Sequence, residues 1–228
     1  MYEVRESVWR TPGGHEVRSL IRDGTNDWNT QNAIFADDEY GIPSGQSGVA
    51  IDVGAYLGGV SIAYALDNPE ARVIAIEPVP PNVELIRQNI ALNGLEGRIL
   101  VIAGAVGTGD VTVPYAYTGS ESAEHHAFVG GSTLFDPTEA HETVTYPGLT
   151  LTRLVAGNDI AWLKIDTEGA EWTFLDDPAV ANIETIVGEW HPYGGHTVGD
   201  MASLLGSTHV VTFSGPQAGP GGFRAVRR

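Results

Sequence analysis

Residues 48–59 read Gly-Val-Ala-Ile-Asp-Val-Gly-Ala-Tyr-Leu-Gly-Gly, an apolar run that contains Asp52 and leads into a Gly-x-x-x-Gly turn. A second apolar run, residues 72–76, ends at Glu77. This order predicts a strand, a tight turn, a helix and a second strand that ends in an acid. Open α/β sheets hold nucleosides with this layout, because glycines let the backbone approach the ligand and the acid accepts hydrogen bonds from the ribose hydroxyls.

The glycine spacing differs from the pattern of dinucleotide-binding sites. A pyrophosphate requires Gly-x-Gly-x-x-Gly and the free N-terminus of a helix. Here Asp52 precedes the first glycine, and a carboxylate at that point would repel a pyrophosphate. The same carboxylate suits a ligand with a cationic amino group, such as S-adenosylmethionine. The pattern therefore disfavours a nicotinamide-dependent oxidoreductase and leaves a non-catalytic nucleoside-binding protein as an alternative.

The composition restricts the class of protein and its partners. Of the 228 residues, 42% are apolar, which is enough for the core of one domain. The 29 acidic residues outnumber the 12 Lys and Arg residues, and a formal charge of −17 disfavours nucleic acid and membrane surfaces as partners. The chain has no Cys, which excludes disulfides, thiolate nucleophiles and Cys-ligated zinc. Since residues 1–6 lack the apolar core of a signal peptide, we expect a cytoplasmic protein.

Alternating strand and helix patterns predict one α/β domain. Residues 1–47 are polar and rich in loop-forming residues, with a short helix at 30–35, and we expect them to form an N-terminal extension and a lid over cofactor and substrate. Residues 48–228 predict a doubly wound sheet of seven strands, mostly parallel with an antiparallel C-terminal edge. The strands are expected near residues 49–53, 72–76, 99–103, 160–165, 185–189, 209–213 and 223–226.

An insertion at residues 107–147 interrupts this alternation. Residues 111–113 and 143–146 alternate like a pair of antiparallel strands, and a long polar loop joins them. Loops of this length in a compact domain are usually functional or mobile. Two adjacent histidines in the loop, His125 and His126, are either solvated residues or part of a lid that faces the substrate.

Acidic residues end four of the five strands predicted to be parallel. Because ligands of open parallel sheets lie outside the carboxyl ends of the strands, the residues at these ends form the candidate site. They are Asp52, Gly54, Ala55, Tyr56 and Gly58 after the first strand, Glu77 and Pro78 after the second, Gly104 and Ala105 after the third, Asp166 and Glu168 after the fourth, and Glu189, Trp190 and His191 at the fifth. Asp52 and Glu77 could each cap the following helix, but the glycine spacing favours ligand binding.

Three of these residues are the candidate catalytic group. Alternation places Glu189 and His191 on the same side of their strand, next to Asp166. They could act as a general base for a hydroxyl nucleophile, hold Mg²⁺ or Mn²⁺, or form a hydrogen-bonded network at the strand ends. We favour the general base, assign no residue as a metal ligand and leave Mg²⁺ as a second option. Glu171 is interpreted as a charge in the first turn of a helix.

Three blocks of sequence resemble the FkbM family of S-adenosylmethionine-dependent methyltransferases. Residues 51–58, together with 76–82, resemble the cofactor site of the family. Residues 163–171, Leu-Lys-Ile-Asp-Thr-Glu-Gly-Ala-Glu, resemble its most distinctive motif, and residues 187–191, Val-Gly-Glu-Trp-His, resemble its Glu-x-His strand end. Upstream, residues 21–40 are similar to the segment that precedes the cofactor site in the family.

The resemblance implies a Rossmann-like fold and transfer of a methyl group, usually to a hydroxyl oxygen of a small molecule or saccharide, with N-methylation as an alternative. It implies that Glu77 holds the ribose hydroxyls, that Asp52 and the turn at residues 54–58 meet the methionine end, and that Gly104 and Ala105 line the adenine. We further expect cofactor contacts from Tyr56, Pro78 and Asp166, and acceptor contacts from His125, His126, Glu168 and Trp190.

Overall fold

The computed structural model describes residues 3–116, 141–216 and 220–228. The strands in these ranges are β1 (Val4–Arg10), β2 (Glu16–Arg22), β3 (Gly48–Val53), β4 (Ala71–Glu77), β5 (Ile99–Ala103), β6 (Asp110–Ala116), β7 (His141–Pro147), β8 (Ile160–Ile165), β9 (Thr185–Trp190), β10 (His209–Phe213) and β11 (Gly221–Arg227). The α-helices are α1 (Asp27–Phe35), α2 (Gly59–Asp67), α3 (Pro80–Leu92), α4 (Leu151–Val155), α5 (Glu171–Leu175) and α6 (Val198–Leu205). Short 3₁₀ helices span Pro178–Asn182 and Tyr193–Gly195.

Seven strands form one sheet in the order β10-β11-β9-β8-β3-β4-β5. Strands β9, β8, β3, β4 and β5 are parallel, whereas β11 is antiparallel to both of its neighbours. This confirms the predicted α/β sheet with antiparallel pairing at its C-terminal edge. The chain builds outward from β3 to β5 and then returns to β8 on the other side of β3. The carboxyl ends of β3 and β8 therefore form a topological switch point, the place where open sheets bind ligands.

Both faces of the parallel strands are covered, which explains their nearly continuous apolar sequences. On one face, Leu163 belongs to a buried cluster with residues of α4, α5 and α6. On the other face, Trp162 belongs to a cluster with residues of α2 and α3, and its ring stacks on Tyr64 with 5.1 Å between centroids. Lys164, in the same strand, is only 3% exposed, so its charge needs a partner within the protein.

The N-terminal segment contains a β-hairpin that the sequence did not predict. In β2, the side chains of Val17, Ser19 and Ile21 are fully buried, while the residues between them are exposed or half-buried. The description of residues 1–47 as polar loops was therefore wrong. Residues 17–21 do alternate between buried and more exposed positions, but Ser19 in the middle of the buried face concealed the alternation of apolar and polar residues. Helix α1 also begins earlier than predicted, at Asp27.

Strands β6 and β7 form a separate antiparallel pair, as predicted for residues 111–113 and 143–146. The loop histidines His125 and His126 lie outside the described residues. None of the described helices is long and apolar enough to cross a membrane.

Candidate active site

A cavity of about 430 Å³ lies at the carboxyl ends of β3, β4, β5 and β8. This volume is in the range of pockets for small ligands. Besides these strand ends, α1 and β6 contribute to its walls. Among the predicted site residues, its lining includes Gly54, Ala55, Tyr56, Glu77, Pro78, Gly104, Ala105, Asp166, Glu168 and Glu189. The N-terminal segment adds Asn26, Asn29, Thr30, Ala33, Ile34, Glu39 and Tyr40.

The turn after β3 requires glycine at position 54. Gly54 has a φ of +75°, and a Cβ at this residue would lie 1.8 Å from the carbonyl oxygen of Asp166. Two other cavity residues, Tyr56 and Glu168, are in the left-handed region with φ of 52° and 53°. This conformation costs a non-glycine residue about 1–2 kcal/mol. The turns that follow β3 and β8 therefore approach each other closely and are strained at the cavity.

Glu77 offers a carboxylate that is oriented by three N–H groups. Its Oε1 accepts from the backbone of Val79 at 2.9 Å and from the amide of Asn82 at 3.2 Å, and its Oε2 accepts from the backbone of Tyr56 at 2.9 Å. Burial raises the pKa of Glu77 to about 7, although these hydrogen bonds favour the ionised form. Three of its roughly four lone-pair sites are used, so Oε2 can accept a hydrogen bond from one ribose hydroxyl, and a second hydroxyl would share an oxygen with these donors.

Asp52 pairs with Lys164, which lines the cavity, but Asp52 itself is not part of the described lining. Its Oδ2 accepts from the hydroxyl of Ser61 at 2.7 Å, and its Oδ1 lies 3.4 Å from Nζ of Lys164. The ammonium also donates to the carbonyl oxygens of Gly54 at 2.7 Å and Val53 at 3.3 Å. Burial opposes the charged form of Lys164, but the neighbouring charges of Asp52 and Asp166 raise its pKa overall. The Asp52–Lys164 pair therefore stabilises the turn after β3 through the hydrogen bonds of Lys164 to its backbone.

Tyr40 connects the N-terminal segment to the end of β8. Its hydroxyl donates to Oδ2 of Asp166 at 3.0 Å, and Nζ of Lys164 lies 5.3 Å from the centre of its ring. Burial and the charge of Asp166 raise the pKa of Tyr40 well above its usual value, so the phenol stays a hydrogen-bond donor. Tyr40 thereby fixes one oxygen of Asp166.

Glu39 and Glu189 form a carboxyl pair at the wall of the cavity. Each of the two residues affects the ionisation of the other. Burial raises the pKa of Glu189 to about 7, and the charges of Asp166 and Glu39 add to this, whereas His191 opposes it. Burial and the charge of Asp166 also raise the pKa of Glu39. A carboxyl group with a pKa near 7, such as Glu189, can accept a proton from a bound ligand at neutral pH.

His191 is a cation held by carboxylates behind this wall. Its Nδ1 lies 2.9 Å from Oε1 of Glu171, and its Nε2 lies 3.3 Å from Glu168 and 3.7 Å from Glu189. Burial alone would lower the pKa of His191, but the hydrogen bond to Glu171 and the surrounding carboxylates raise it to about 9. The imidazole is therefore protonated at neutral pH and has no free lone pair for a proton.

Glu171 lies in the first turn of α5, as interpreted, but its role goes beyond that of a charge at a helix end. Glu171 is fully buried, and its Oε1 also accepts from the backbone N–H of His191 at 2.7 Å. Its Oε2 accepts from the backbone of Gly169 at 2.9 Å and from the hydroxyl of Thr167 at 3.0 Å. One carboxylate thus holds the loop after β8 against the end of β9. The spacing within the 163–171 motif was the only signal of this role in the sequence.

Among the predicted site residues that the structure describes, four are not part of the lining of the cavity: Asp52, Gly58, Trp190 and His191. Gly58, with a φ of +82°, precedes the first residue of α2 and would place a Cβ 3.3 Å from Ile86. Trp190 points to the opposite face of the sheet, as alternation requires, and is 1% exposed. Sequence reasoning had not singled out Glu39, Tyr40 and Asn82 as individual site residues.

A second cavity, of about 350 Å³, adjoins the first. Glu39, Tyr40 and Glu189 line both cavities, so they form a shared wall. The rest of the described lining of the second cavity is Asp38, Gly41, Val187, Gly188, Thr212, Phe213, Ser214, Gly222, Phe223 and Arg224. Ligands in the two cavities would therefore contact the same three residues.

One group in the described part of the chain has the composition of a metal site. Single ligand atoms of Asp166, Glu189 and His191 lie within 4.8 Å of one another. His191 is protonated and surrounded by carboxylates here, and a metal would require it to be neutral. Because one of the three ligands would first have to lose a proton, the group suits a metal ion less well than its residue types suggest.

Two solved structures illustrate what this chain is similar to in fold. Trm5b from Pyrococcus abyssi has a TM-score of 0.50 and 15% identity over 99% of this chain and 56% of that chain. M. capricolum TrmK, solved with S-adenosyl-homocysteine, has a TM-score of 0.46 and 11% identity over 81% of this chain and 64% of that chain. At these identities a likeness concerns the fold alone. The parallel sheet and the cavity at its strand ends define the class as Rossmann-like α/β proteins.

Within this class, residues 52–211 match the family model of the methyltransferase FkbM domain. The chain belongs to the FkbM methyltransferase family, as the sequence motifs predicted. A curated relative, O-methyltransferase imqG from Aspergillus flavus, is 39% identical over 56 residues, which are 25% of this chain and 23% of that protein. The matched region therefore spans about a quarter of that relative.

Proposed function

We propose that this methyltransferase uses S-adenosylmethionine to methylate a hydroxyl oxygen of a small molecule or saccharide. The observation that carries the proposal is one cavity with two different carboxyl sites. Glu77 is oriented by three N–H groups at the end of β4, and Glu189 lies with Glu39 near the end of β9, which β8 and β3 separate from β4. The similarity to O-methyltransferase imqG supports transfer to oxygen.

The cofactor end of the cavity fits a nucleoside. Glu77 would accept hydrogen bonds from the ribose hydroxyls. Because no acid follows β5, the backbone at Gly104 and Ala105 would line the adenine. When bound, S-adenosylmethionine supplies a methyl group that is already activated by its positive sulfur. Asp166, with one oxygen held by Tyr40, faces the cavity and would attract this positive charge. The predicted contact from Asp52 would be electrostatic, through the turn that Lys164 holds.

The carboxyl pair would serve as the proton acceptor. An alcohol must lose its proton as it attacks, and an acceptor with a pKa near 7 is suited to take it. Glu189 has this property and lines the cavity, whereas His191 is a cation outside the lining. We therefore assign proton transfer to Glu189 with Glu39, and charge balance to His191. Residues 1–47 would act as the lid, because they supply Glu39 and Tyr40.

The acceptor would enter through the second cavity. Its lining combines carboxylates with the hydroxyls of Thr212 and Ser214 and the guanidinium of Arg224, groups that hydrogen-bond a polyhydroxylated molecule. The formal charge of −17 disfavours nucleic acid as the acceptor, because its phosphates would be repelled. Amines are the second acceptor class, and they would not need the carboxyl pair as a base.

Calorimetry and product analysis test the proposal together. Wild-type protein should bind S-adenosyl-homocysteine and transfer a deuterated methyl group from labelled S-adenosylmethionine to members of a panel of sugars, phenols, alcohols and amines. Mass spectrometry then reports whether oxygen or nitrogen is labelled. No affinity for S-adenosyl-homocysteine would reject the proposal, and labelled amines alone would select N-methylation. Activity lost with EDTA and restored by Mg²⁺ would support the metal option.

Binding of S-adenosyl-homocysteine should weaken as the pH falls below about 7. Ribose hydroxyls donate to the ionised carboxylate, and burial raises the pKa of free Glu77 to about 7. Below this pH, binding must first remove a proton, so the Kd should rise about tenfold for each pH unit. The same slope should remain in the E189Q variant, which separates Glu77 from the other group that titrates near pH 7. A Kd that is constant between pH 6 and 8 would contradict the role of Glu77.

Substitution of Glu189 by Gln should reduce methyl transfer to a hydroxyl acceptor by about 10²–10⁴-fold. The amide keeps the shape of the side chain but cannot accept the proton. The Kd of S-adenosyl-homocysteine should stay within a factor of about two, because Glu189 is remote from the ribose carboxylate. H191Q should reduce turnover less and should lower the melting temperature, since buried Glu171 loses its cation. A larger loss of turnover in H191Q than in E189Q would return the base assignment to His191.

A further inference from the structure

A buried ion pair lies behind the cofactor end of the cavity. Arg22 ends β2 and Asp27 begins α1, and they are 4% and 0% exposed. Nε and Nη2 of Arg22 donate to the two oxygens of Asp27, each at 2.8 Å. The backbone N–H of Arg22 adds a third bond to Asp27 at 2.7 Å. Neither residue belongs to the described lining of the cavity, so any effect on a ligand must pass through a neighbour.

Asn82 is the first such neighbour. Nη1 of Arg22 donates to Oδ1 of Asn82 at 2.9 Å, and Nδ2 of Asn82 donates to Oε1 of Glu77 at 3.2 Å. A flipped amide would place its oxygen against the carboxylate and its NH₂ against the guanidinium, and both contacts would be repulsive. Since Asn82 is fully buried, it cannot turn to solvent instead. Arg22 therefore determines which group Asn82 presents to Glu77.

Tyr56 is the second neighbour. Its hydroxyl donates to Oδ1 of Asp27, and the guanidinium carbon of Arg22 lies 5.4 Å from the centre of its ring. Its backbone N–H donates to Oε2 of Glu77 at 2.9 Å. The φ of Tyr56 is 52°, a conformation that persists only where the surroundings support it. Both oxygens of Glu77 are thus bonded to residues that contact the Arg22–Asp27 pair.

We propose that Arg22 and Asp27 are positioning residues for the cofactor, which orient Glu77 through Asn82 and Tyr56. The inference rests on the proposed function, in which Glu77 accepts hydrogen bonds from the ribose hydroxyls. Arg22 and Asp27 belong to the N-terminal segment, which precedes the region that matches the family model. With these roles, the N-terminal segment becomes part of the nucleoside site. Docking of residues 22–27 and binding of the ribose then stabilise each other, because coupling between two sites is reciprocal.

The R22K variant tests this coupling. Lys keeps the buried charge, but one ammonium cannot reproduce the fork that reaches both Asp27 and Asn82. We expect the Kd of S-adenosyl-homocysteine to rise about tenfold, the loss expected for one hydrogen bond to a charged group. The decisive readout is the preference for adenosine over 2′,3′-dideoxyadenosine, measured by displacement of S-adenosyl-homocysteine. These nucleosides differ only in the ribose hydroxyls, so the preference should shrink in R22K while the affinity for the dideoxy compound changes little.

Two further variants keep the test decisive. R18K is the matched control, because Arg18 lies in the same strand and makes a bidentate pair with Glu6, at 2.7 and 2.9 Å, on the exposed face. It should behave as wild type. Y56F removes only the hydroxyl that contacts Asp27. If R22K does not fold, we expect Y56F to show the smaller preference for adenosine over 2′,3′-dideoxyadenosine.

The outcomes separate the inference from the proposed function. If the variants bind both nucleosides more weakly by the same factor, Arg22 and Asp27 only support the fold. If the preference for adenosine is unchanged, they do not orient Glu77. Either result overturns the inference. A wild-type protein that binds no S-adenosyl-homocysteine, or has no preference for adenosine, would instead reject the proposed role of Glu77. Slower amide exchange at residues 22–27 in the presence of S-adenosyl-homocysteine, weaker in R22K, would support the reciprocal coupling.

Discussion

Replacement of Lys164 by Met is expected to lower the free energy of unfolding by about 3–5 kcal/mol, the cost of breaking a buried ion pair on one side. Lys164 and Asp52 are 3% and 1% exposed, so Met would leave a carboxylate buried without its cation. The carbonyl oxygens of Gly54 and Val53 would also lose a donor. Urea denaturation followed by circular dichroism measures the change.

The double variant D52N/K164M is the informative control for this prediction. It removes both charges, so it should recover a substantial part of the stability that K164M loses. R18M changes an Arg that is paired on the surface and should have little effect, because surface pairs contribute little. A loss below about 1 kcal/mol in K164M would show that water or another group compensates Asp52.

Substitution of Glu77 by Gln should weaken binding of S-adenosyl-homocysteine by about a hundredfold or more at pH 8. At that pH, Glu77 is ionised, since burial raises its pKa only to about 7. Hydrogen bonds to a charged group contribute about 1.5–3 kcal/mol each, and two ribose hydroxyls would lose the charged acceptor. The NH₂ of Gln would also face an N–H donor, because the backbone of Val79 and the amide of Asn82 donate to one oxygen and Tyr56 donates to the other.

The matched control for E77Q is E84Q. Glu84 lies on the exposed face of α3 and contacts Gln88 of the same helix at 2.9 Å. It should leave the Kd of S-adenosyl-homocysteine unchanged. If E77Q binds as tightly as wild type while its melting temperature is normal, Glu77 does not hold the ribose and the cofactor end of the site must be assigned again.

The order of strands and helices in the main sheet followed from sequence patterns. Apolar runs ending at Asp52, Glu77 and Asp166 placed three parallel strands, and the predicted ends agree with the structure to within a residue or two. The hairpin β1–β2 was missed, because Ser19 occupies a fully buried position and breaks the apolar alternation. A polar residue on a buried face is decided by its neighbours, here the side chain of Gln31, and periodicity cannot reveal them.

Residue type and spacing determined which groups collect at the rim of the sheet, since parallel strands bring their carboxyl ends to one edge. What each group does depended on tertiary contacts. Asp52 pairs with Lys164, His191 is held as a cation by Glu171, and Glu39 arrives from the N-terminal segment to stand beside Glu189 at the cavity. Charge state and orientation depend on the distance to other charges and on burial, and only the folded chain sets these quantities.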